Sequence, residues 1–454
     1  MHCDDSLEEV EANMTLYQYE KISIFKLESG EVLGFHNDNL EVAKLSSSLW
    51  DSVKLGYKGE ELDELKTWSD SVNLNVKRAV VDQKVKTLTI NTTQLCNLKC
   101  SYCAAGGDGT YGSPTLKLDI KKGLPQLEWL MSRCLPGERF QINFLGGEPL
   151  LYPDVIREIS VLAMELANQS QLALRFGVVT NGTLLANPKV IELLQEFRVA
   201  VTVSVDGPPE VQDRFRPKKS AAKSGEGSSV DLEKGLEQLK LIKNKLPSVG
   251  LAAVFHSDYL DVLETYKYFL KWDLDYYEFN FSHTNFDLES SRAFTKQMEQ
   301  VAEFADSIGG EDELRKIRSF DSIMNRLDEQ VKLENFCGSG KSLLSMDASG
   351  DLYACPWDIN DKTLKLGATP SSQSNGKIYK NHLDSYKAPQ IEKLACSQCW
   401  AKFVCGGGCN YIHKAGSSEP ATKIDPIFCE RTQSLIMTTI MYYEKYRRVS
   451  NETH

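Results

Sequence analysis

From Lys86 to about His283, short apolar runs rich in β-branched and aromatic residues alternate with longer amphipathic stretches. The short runs predict strands over Thr87–Asn91, Phe140–Leu145, Ala173–Thr180, Val199–Val205, Val249–His256 and Tyr276–Phe281. The longer stretches, Val155–Asn168, Pro188–Phe197, Leu232–Lys245 and Leu260–Trp272, carry apolar residues at helical spacing. Six strand–helix units imply an α/β fold with a parallel sheet and helices outside. Right-handed crossovers can curl such a sheet into a partial (β/α)6, TIM-like barrel whose functional loops lie at the C-terminal strand ends.

The barrel is flanked on both sides. Upstream, Lys21 to Phe35 alternates around Ser29-Gly30 and reads as a β-hairpin, followed by helical stretches over Ala43–Leu55 and Glu60–Val72. Downstream lies a cysteine-rich third. The expected organisation is an N-terminal hairpin/helix module over residues 1–85, a core barrel over 86–310 and a cysteine-rich domain over 311–454. A chain of 454 residues is longer than one core usually organises, which agrees with that division.

Charge narrows the partners. The net charge is −11 and the pI near 5.3, and no basic stretch is interleaved with aromatics, so neither nucleic acid nor an anionic membrane surface is expected as a partner. The N-terminus lacks the basic start and apolar run of a secretory signal, and no apolar stretch is long enough to span a bilayer, so a cytoplasmic location is expected. In that reducing compartment twelve clustered cysteines argue for metal ligation over disulfides.

Cys96, Cys100 and Cys103 place three thiols within eight residues at the end of the first barrel strand. Four cysteines would close an iron–sulfur cluster, whereas three leave one iron with a position open to a cofactor or substrate. A zinc knuckle or three buried core thiols are the structural alternatives. The spacing, with aromatic Tyr102 before the last cysteine, resembles the signature of the radical S-adenosylmethionine (SAM) enzymes. That resemblance implies a SAM-binding 4Fe-4S cluster on the three cysteines, with SAM chelating the open iron and Tyr102 near the adenine.

Later motifs fall where this resemblance requires them. After the second strand, Gly146-Gly147-Glu148-Pro149 is similar to the family's GGEP motif, which implies contact with the methionine amino group of SAM; the glycines let a ligand approach bare backbone. Thr180-Asn-Gly-Thr183 after the third strand is either a plain turn or a cofactor-side loop. Strand alternation puts Ser204 and Asp206 on one face, where they serve as strand-end caps or, by resemblance, as SAM contacts. The Lys-, Ser- and Gly-rich segment Pro217–Ser229 reads as a mobile loop beside the site.

Seven further cysteines follow within 93 residues: Cys337, Cys355, Cys396, Cys399, Cys405, Cys409 and Cys429. Their order resembles the SPASM domain of peptide-modifying radical SAM enzymes, which binds two auxiliary iron–sulfur clusters. By resemblance Cys396, Cys399, Cys405 and Cys429 hold one cluster, and Cys337, Cys355 and Cys409 the other. Two zinc sites are the competing structural reading. The set is one cysteine short of the fullest SPASM pattern. The fourth position of the second site could be open to substrate, or taken by water, a distant side chain or Cys134, whose simpler reading is a buried helix-end thiol. Cys3 reads as a surface thiol.

The resemblance implies a peptide maturase that cleaves SAM to a 5′-deoxyadenosyl radical and oxidatively modifies, by cross-linking foremost, a ribosomally made peptide. A flavodoxin or ferredoxin would supply electrons. Sulfatase maturation to formylglycine and small-molecule dehydrogenation are the enzymatic alternatives; the first places an aspartate directly after the cysteine matching Cys355, where this chain has Pro356. An iron–sulfur electron carrier or a zinc scaffold is the non-catalytic alternative. The N-terminal module faintly resembles precursor-recognition modules that capture a leader peptide by strand addition, and reads equally as a packing appendage capping the barrel. No motif identifies the general base.

Overall fold

The computed structural model describes residues 14–56, 59–79, 84–103, 117–219, 227–282, 287–366, 389–392, 394–415 and 424–452. Cys3 lies outside them. The chain opens with a four-stranded antiparallel meander, β1 (Met14–Tyr19), β2 (Ile22–Leu27), β3 (Val32–His36) and β4 (Glu41–Leu45), followed by helices α1 (Ser47–Leu55) and α2 (Glu60–Asp70). The expected hairpin is β2–β3, but Ala43–Leu45 pairs as part of β4 rather than opening the helix. Cross-strand pairing with Val32–Gly34 overrides the helical preference of Ala, Lys and Leu there.

This sheet is covered on both faces. Ile22, Ile24 and Val32 bury against Leu49, Trp50, Val53 and Leu65 of α1 and α2. Leu16, Phe25, Leu33 and Phe35 bury against Trp400, Phe403, Val404, Ile436, Met437 and Ile440 of the cysteine-rich region. The module thus docks on the C-terminal third.

A short strand β5 (Lys77–Ala79) leads to the barrel, built from β6 (Thr87–Asn91), α3 (Ile120–Met131), β7 (Arg139–Leu145), α4 (Pro153–Ser170), β8 (Ala173–Thr180), α5 (Pro188–Glu196), β9 (Val199–Ser204), α6 (Pro209–Phe215), α7 (Ser229–Ile242), β10 (Val249–Phe255), α8 (Val262–Leu270) and β11 (Tyr276–Phe281). The six strands pair in parallel in chain order, β6 to β11. Alternation along each strand divides the faces: Phe140, Ile142 and Phe144 of β7 and Val199, Val201 and Val203 of β9 are fully buried in the main core. Gln141, Asn143, Thr202 and Ser204, one residue out of phase, line the lumen.

Two long helices follow, α9 (Leu288–Arg315) and α10 (Arg318–Asp328), then β12 (Val331–Leu333), which pairs with β5. The next two strands, β13 (Leu343–Met346) and β14 (Leu352–Tyr353), extend the barrel sheet: β13 runs parallel to β6 and β14 antiparallel to β13. Sequence assigns this segment to the cysteine-rich domain, yet it is continuous with the barrel. Cys355 therefore follows a strand of the barrel sheet. A C-terminal helix, Pro426–Glu452, packs along α9 and α10. No helix among the described residues is long and apolar enough to cross a membrane.

Candidate active site

The loop after β6 carries Cys96, Cys100 and Cys103, and all three line a cavity of about 650 Å³ that fills the barrel lumen. The same wall holds Tyr102, Gly146, Gly147, Glu148, Asn181, Ser204 and Arg216. Residues expected from four separate strand ends thus converge. Burial pushes the Cys96 thiol up to about 11 and the Cys100 thiol up to about 12. Buried thiols of this kind become thiolates when a cation replaces the proton, so the donor set suits a metal centre.

Backbone contacts explain why glycine stands at 146 and 147. The Gly147 N–H donates to the Thr93 carbonyl at 2.8 Å and the Glu148 N–H to the Leu95 carbonyl at 2.7 Å. A Cβ on Gly147 would lie 2.1 Å from the Leu95 oxygen. The two glycines therefore let the loop after β7 lie directly on the cysteine loop. Glu148 then turns inward, accepting from Thr180 Oγ1 at 2.7 Å, Asn181 N at 2.7 Å and Leu150 N at 3.0 Å. Burial outweighs these three donors and raises its carboxyl to about 7. Asn181 in turn donates to Asn97 Oδ1 at 2.8 Å, joining the cysteine loop to the loop after β8.

Ser204 lies on the cavity wall as alternation predicts, whereas Asp206 is drawn beneath it. The Asp206 carboxylate meets Arg216 Nη2 at 3.0 Å and Nε at 2.9 Å, and accepts from the Tyr102 hydroxyl. The Arg216 guanidinium lies over the Tyr102 ring, 5.4 Å from its centroid. Burial opposes the Arg216 charge, but Asp206 more than restores it. Sequence reasoning missed Arg216; only the pairing across ten residues reveals it. Residues 217–219 are stitched to the cysteine loop, with Lys99 N donating to the Pro217 carbonyl at 2.9 Å and Lys219 N to that of Asn97 at 2.8 Å. Residues 220–226 of the expected mobile loop lie outside the described residues.

Deeper in the lumen are residues that no motif marked: Tyr276, Glu278 and Asn280 of β11 and Arg318 at the start of α10. Pro356 and Trp357, directly after Cys355, close another part of the wall.

The remaining cysteines fall into two neighbourhoods. Burial pushes the Cys429 thiol up to about 12, helped by Cys405, Cys399 and Cys396. Cys355 is likewise pushed up to about 12 by burial, then by Asp358, Cys409 and Cys337. These are the four and the three that the sequence grouped. Gly406, Gly407 and Gly408 all adopt left-handed φ, +76°, +89° and +76°, which aims the 407 and 408 amides at the Cys405 sulfur. Among the described residues no three His, Cys, Asp or Glu side chains gather closely enough to ligate a single metal ion. Cys134 sits in the barrel core at the end of α3, with its thiol 3.8 Å from the Leu130 carbonyl, as a buried helix-end thiol does.

Residues 90–269 match the radical SAM superfamily. A serine-type anaerobic sulfatase-maturating enzyme of Bacteroides thetaiotaomicron is 26% identical over 359 residues, 72% of this chain and 83% of its own. The mycofactocin maturase MftC of Mycobacterium ulcerans is 25% identical over 341 residues, 71% of this chain and 82% of its own. The solved structure of native anSMEcpe with bound AdoMet and Kp18Cys peptide shares the fold, with a TM-score of 0.64 at 20% identity over 81% of this chain and 99% of that one. This chain carries a radical SAM domain and is a relative of the SPASM-type maturases.

Proposed function

We propose that the protein is a radical SAM peptide maturase that removes two hydrogens from a ribosomally made peptide, forming a cross-link. One observation carries the reading: a single cavity is walled on one side by Cys96, Cys100 and Cys103 and on another by Pro356 and Trp357, which adjoin Cys355. A side chain held in that lumen can lose a hydrogen atom toward the first wall and an electron toward the second. A cluster and SAM on the triad would supply a 5′-deoxyadenosyl radical, and the chain's residues supply position. Gly146, Gly147 and Ser204 offer backbone and hydroxyl contacts to the SAM amino-acid end, and Tyr102 its ring to the adenine. Cys396, Cys399, Cys405 and Cys429 would hold one auxiliary cluster, and Cys337, Cys355 and Cys409 the other. An acidic flavodoxin or ferredoxin is the proposed electron donor.

Relatives named as maturases of a sulfatase and of mycofactocin support a peptide substrate. Sulfatase maturation is the second reading. Against it, Pro356 stands where that chemistry has its aspartate, and the nearest carboxylate, Asp358, is buried and absent from the cavity wall. The four-stranded module has edges at β1 and β4, so leader capture by strand addition there is part of the proposal. The test is the accurate mass of a peptide encoded beside the gene after anaerobic co-expression with this protein or its Cys96→Ala variant. A loss of two hydrogens that requires Cys96 supports the reading. A serine or cysteine converted to formylglycine supports the second one. A peptide of unchanged mass that gains deuterium from solvent replaces cross-linking with epimerisation.

A further inference from the structure

Resting on the proposal that Cys337, Cys355 and Cys409 hold an iron–sulfur cluster, one question is left: what occupies its fourth position. Three thiols leave one iron without a protein ligand. The turn after Cys355 separates its residues sharply. Pro356 and Trp357 face the cavity, whereas Asp358 turns away from it and is only 3% exposed. The turn is the one-and-a-half-turn 3-10 segment Pro356–Asn360, closed by the Asp358 N–H donating to the Cys355 carbonyl at 3.1 Å. That bond brings residue 358 back over residue 355.

The surroundings agree. Among the charged groups acting on the Cys355 thiol, Asp358 acts more strongly than Cys409 or Cys337. Tyr411, whose ring centroid is 6.2 Å from that of Trp357, has its hydroxyl pushed up by burial and then by Asp358, Cys355 and Cys409 in that order. One carboxylate and three thiols therefore share a pocket with two aromatic rings. A buried carboxylate left to itself is costly, and ligation to a metal is one of the ways proteins satisfy it. Cys134, the remaining thiol, is committed to the barrel core.

We propose that Asp358 is the fourth protein ligand of the site formed by Cys337, Cys355 and Cys409. The cluster is then closed by the chain. It exchanges electrons with a substrate in the lumen across the Pro356-Trp357 wall without binding that substrate directly. The proline directly after Cys355 and the displaced aspartate become one feature: the carboxylate that could have faced the substrate faces the metal.

The test uses the full-length chain reconstituted anaerobically with iron-57, in a background where Cys96, Cys100 and Cys103 are alanine, so that only auxiliary iron is present. About 8 irons per chain are expected there. The readout is the rate at which a strong iron chelator removes them after mild ferricyanide oxidation, with EPR and Mössbauer spectra following any 4Fe-4S to 3Fe-4S conversion. Asp358→Asn keeps the shape and weakens the ligand. It should release about half the iron at least about tenfold faster than the parent, because even second-sphere changes cost that much metal affinity. The four-cysteine site serves as the slow internal reference. Asp358→Cys should restore slow release with an altered spectrum, and it keeps the test valid if Asp358→Asn fails to fold. Release from Asp358→Asn at the parent's rate, with an unchanged spectrum, overturns the ligand assignment. A parent holding zinc or no metal overturns the auxiliary-cluster reading instead, a distinct result.

Discussion

Arg216 grips Asp206 with two nitrogens, Nη2 at 3.0 Å and Nε at 2.9 Å, and both residues are buried beneath the cysteine loop. The pair ties the end of α6 to the loop after β9, while Tyr102 adds a hydroxyl from the cysteine loop itself. Three barrel segments thus meet on one carboxylate. Asp206→Asn leaves the guanidinium buried without its counter-charge, a change that costs about 3–5 kcal/mol in comparable buried pairs. Hydrogen exchange over residues 199–216 should rise accordingly. Replacing both partners by apolar residues should cost less than the single change. Equal exchange in Asp206→Asn and the parent would show that the pair does not hold these loops.

Glu148 makes the same region pH-sensitive. Its carboxyl is raised from 4.5 to about 7, by burial first. The folded state therefore binds its proton more tightly than the unfolded state does. This contribution to stability is full below about pH 4.5 and is lost as pH rises toward and through 7, amounting to about 3 kcal/mol. Glu148→Gln should remove that slope, so the gap in urea midpoint between parent and variant should change steadily between pH 5 and pH 8. A constant gap would mean that Glu148 is ionised throughout.

Gly147→Ala should separate the triad from the other cysteines. The new Cβ would meet the Leu95 backbone oxygen at 2.1 Å and the Cys96 nitrogen at 3.0 Å, so the cysteine loop has to move. Reconstituted protein should lose about four irons, those of the triad, while retaining the auxiliary ones. Loss of all iron would point to general misfolding, and full retention would show that the loop has slack.

The docking of the N-terminal module depends on Trp400, the residue after Cys399. Its ring makes edge contacts with Phe25 and Phe35, at centroid distances of 5.0 and 6.0 Å. Trp400→Ala should cost about 3–5 kcal/mol, as large-to-small core changes with tryptophan do. The loss should show as faster amide exchange in β2 and β3 together with a lower unfolding midpoint. Unchanged exchange in those strands would mean that the module holds its place by other contacts.

The barrel was legible in sequence because its strands are apolar on the helix side and small or polar on the lumen side. Val199, Val201 and Val203 alternating with Ala200, Thr202 and Ser204 show this. The triad was legible because its ligands are local. What sequence missed is what distant pairing creates. Leu343–Met346 is too short to signal a strand, and acquires its role only by pairing with Thr87–Ile90. Arg216 carries no motif, and Glu278 and Arg318 become lumen residues only when the sheet curls. Asp358 was visible as a displaced aspartate, but which way it faces depends on the fold of its turn.

Trp357 offers the sharpest test of how the cavity is used. It lines the lumen, follows Cys355 by two residues and lies 6.2 Å from Tyr411, so it stands between a bound substrate and the Cys337/Cys355/Cys409 neighbourhood. Removing its ring leaves the triad end of the cavity intact. Cleavage of SAM in the absence of peptide should therefore persist in Trp357→Ala. Peptide product formed per SAM cleaved should fall about 10- to 100-fold, the usual effect of small misplacements of a reacting group. Trp357→Phe, which keeps an aromatic wall, should recover most of that coupling. If Trp357→Ala lowers SAM cleavage and product formation equally, the ring supports cofactor binding rather than the substrate. If neither changes, the substrate sits elsewhere in the lumen, and Glu278 and Arg318 are the side chains to replace next.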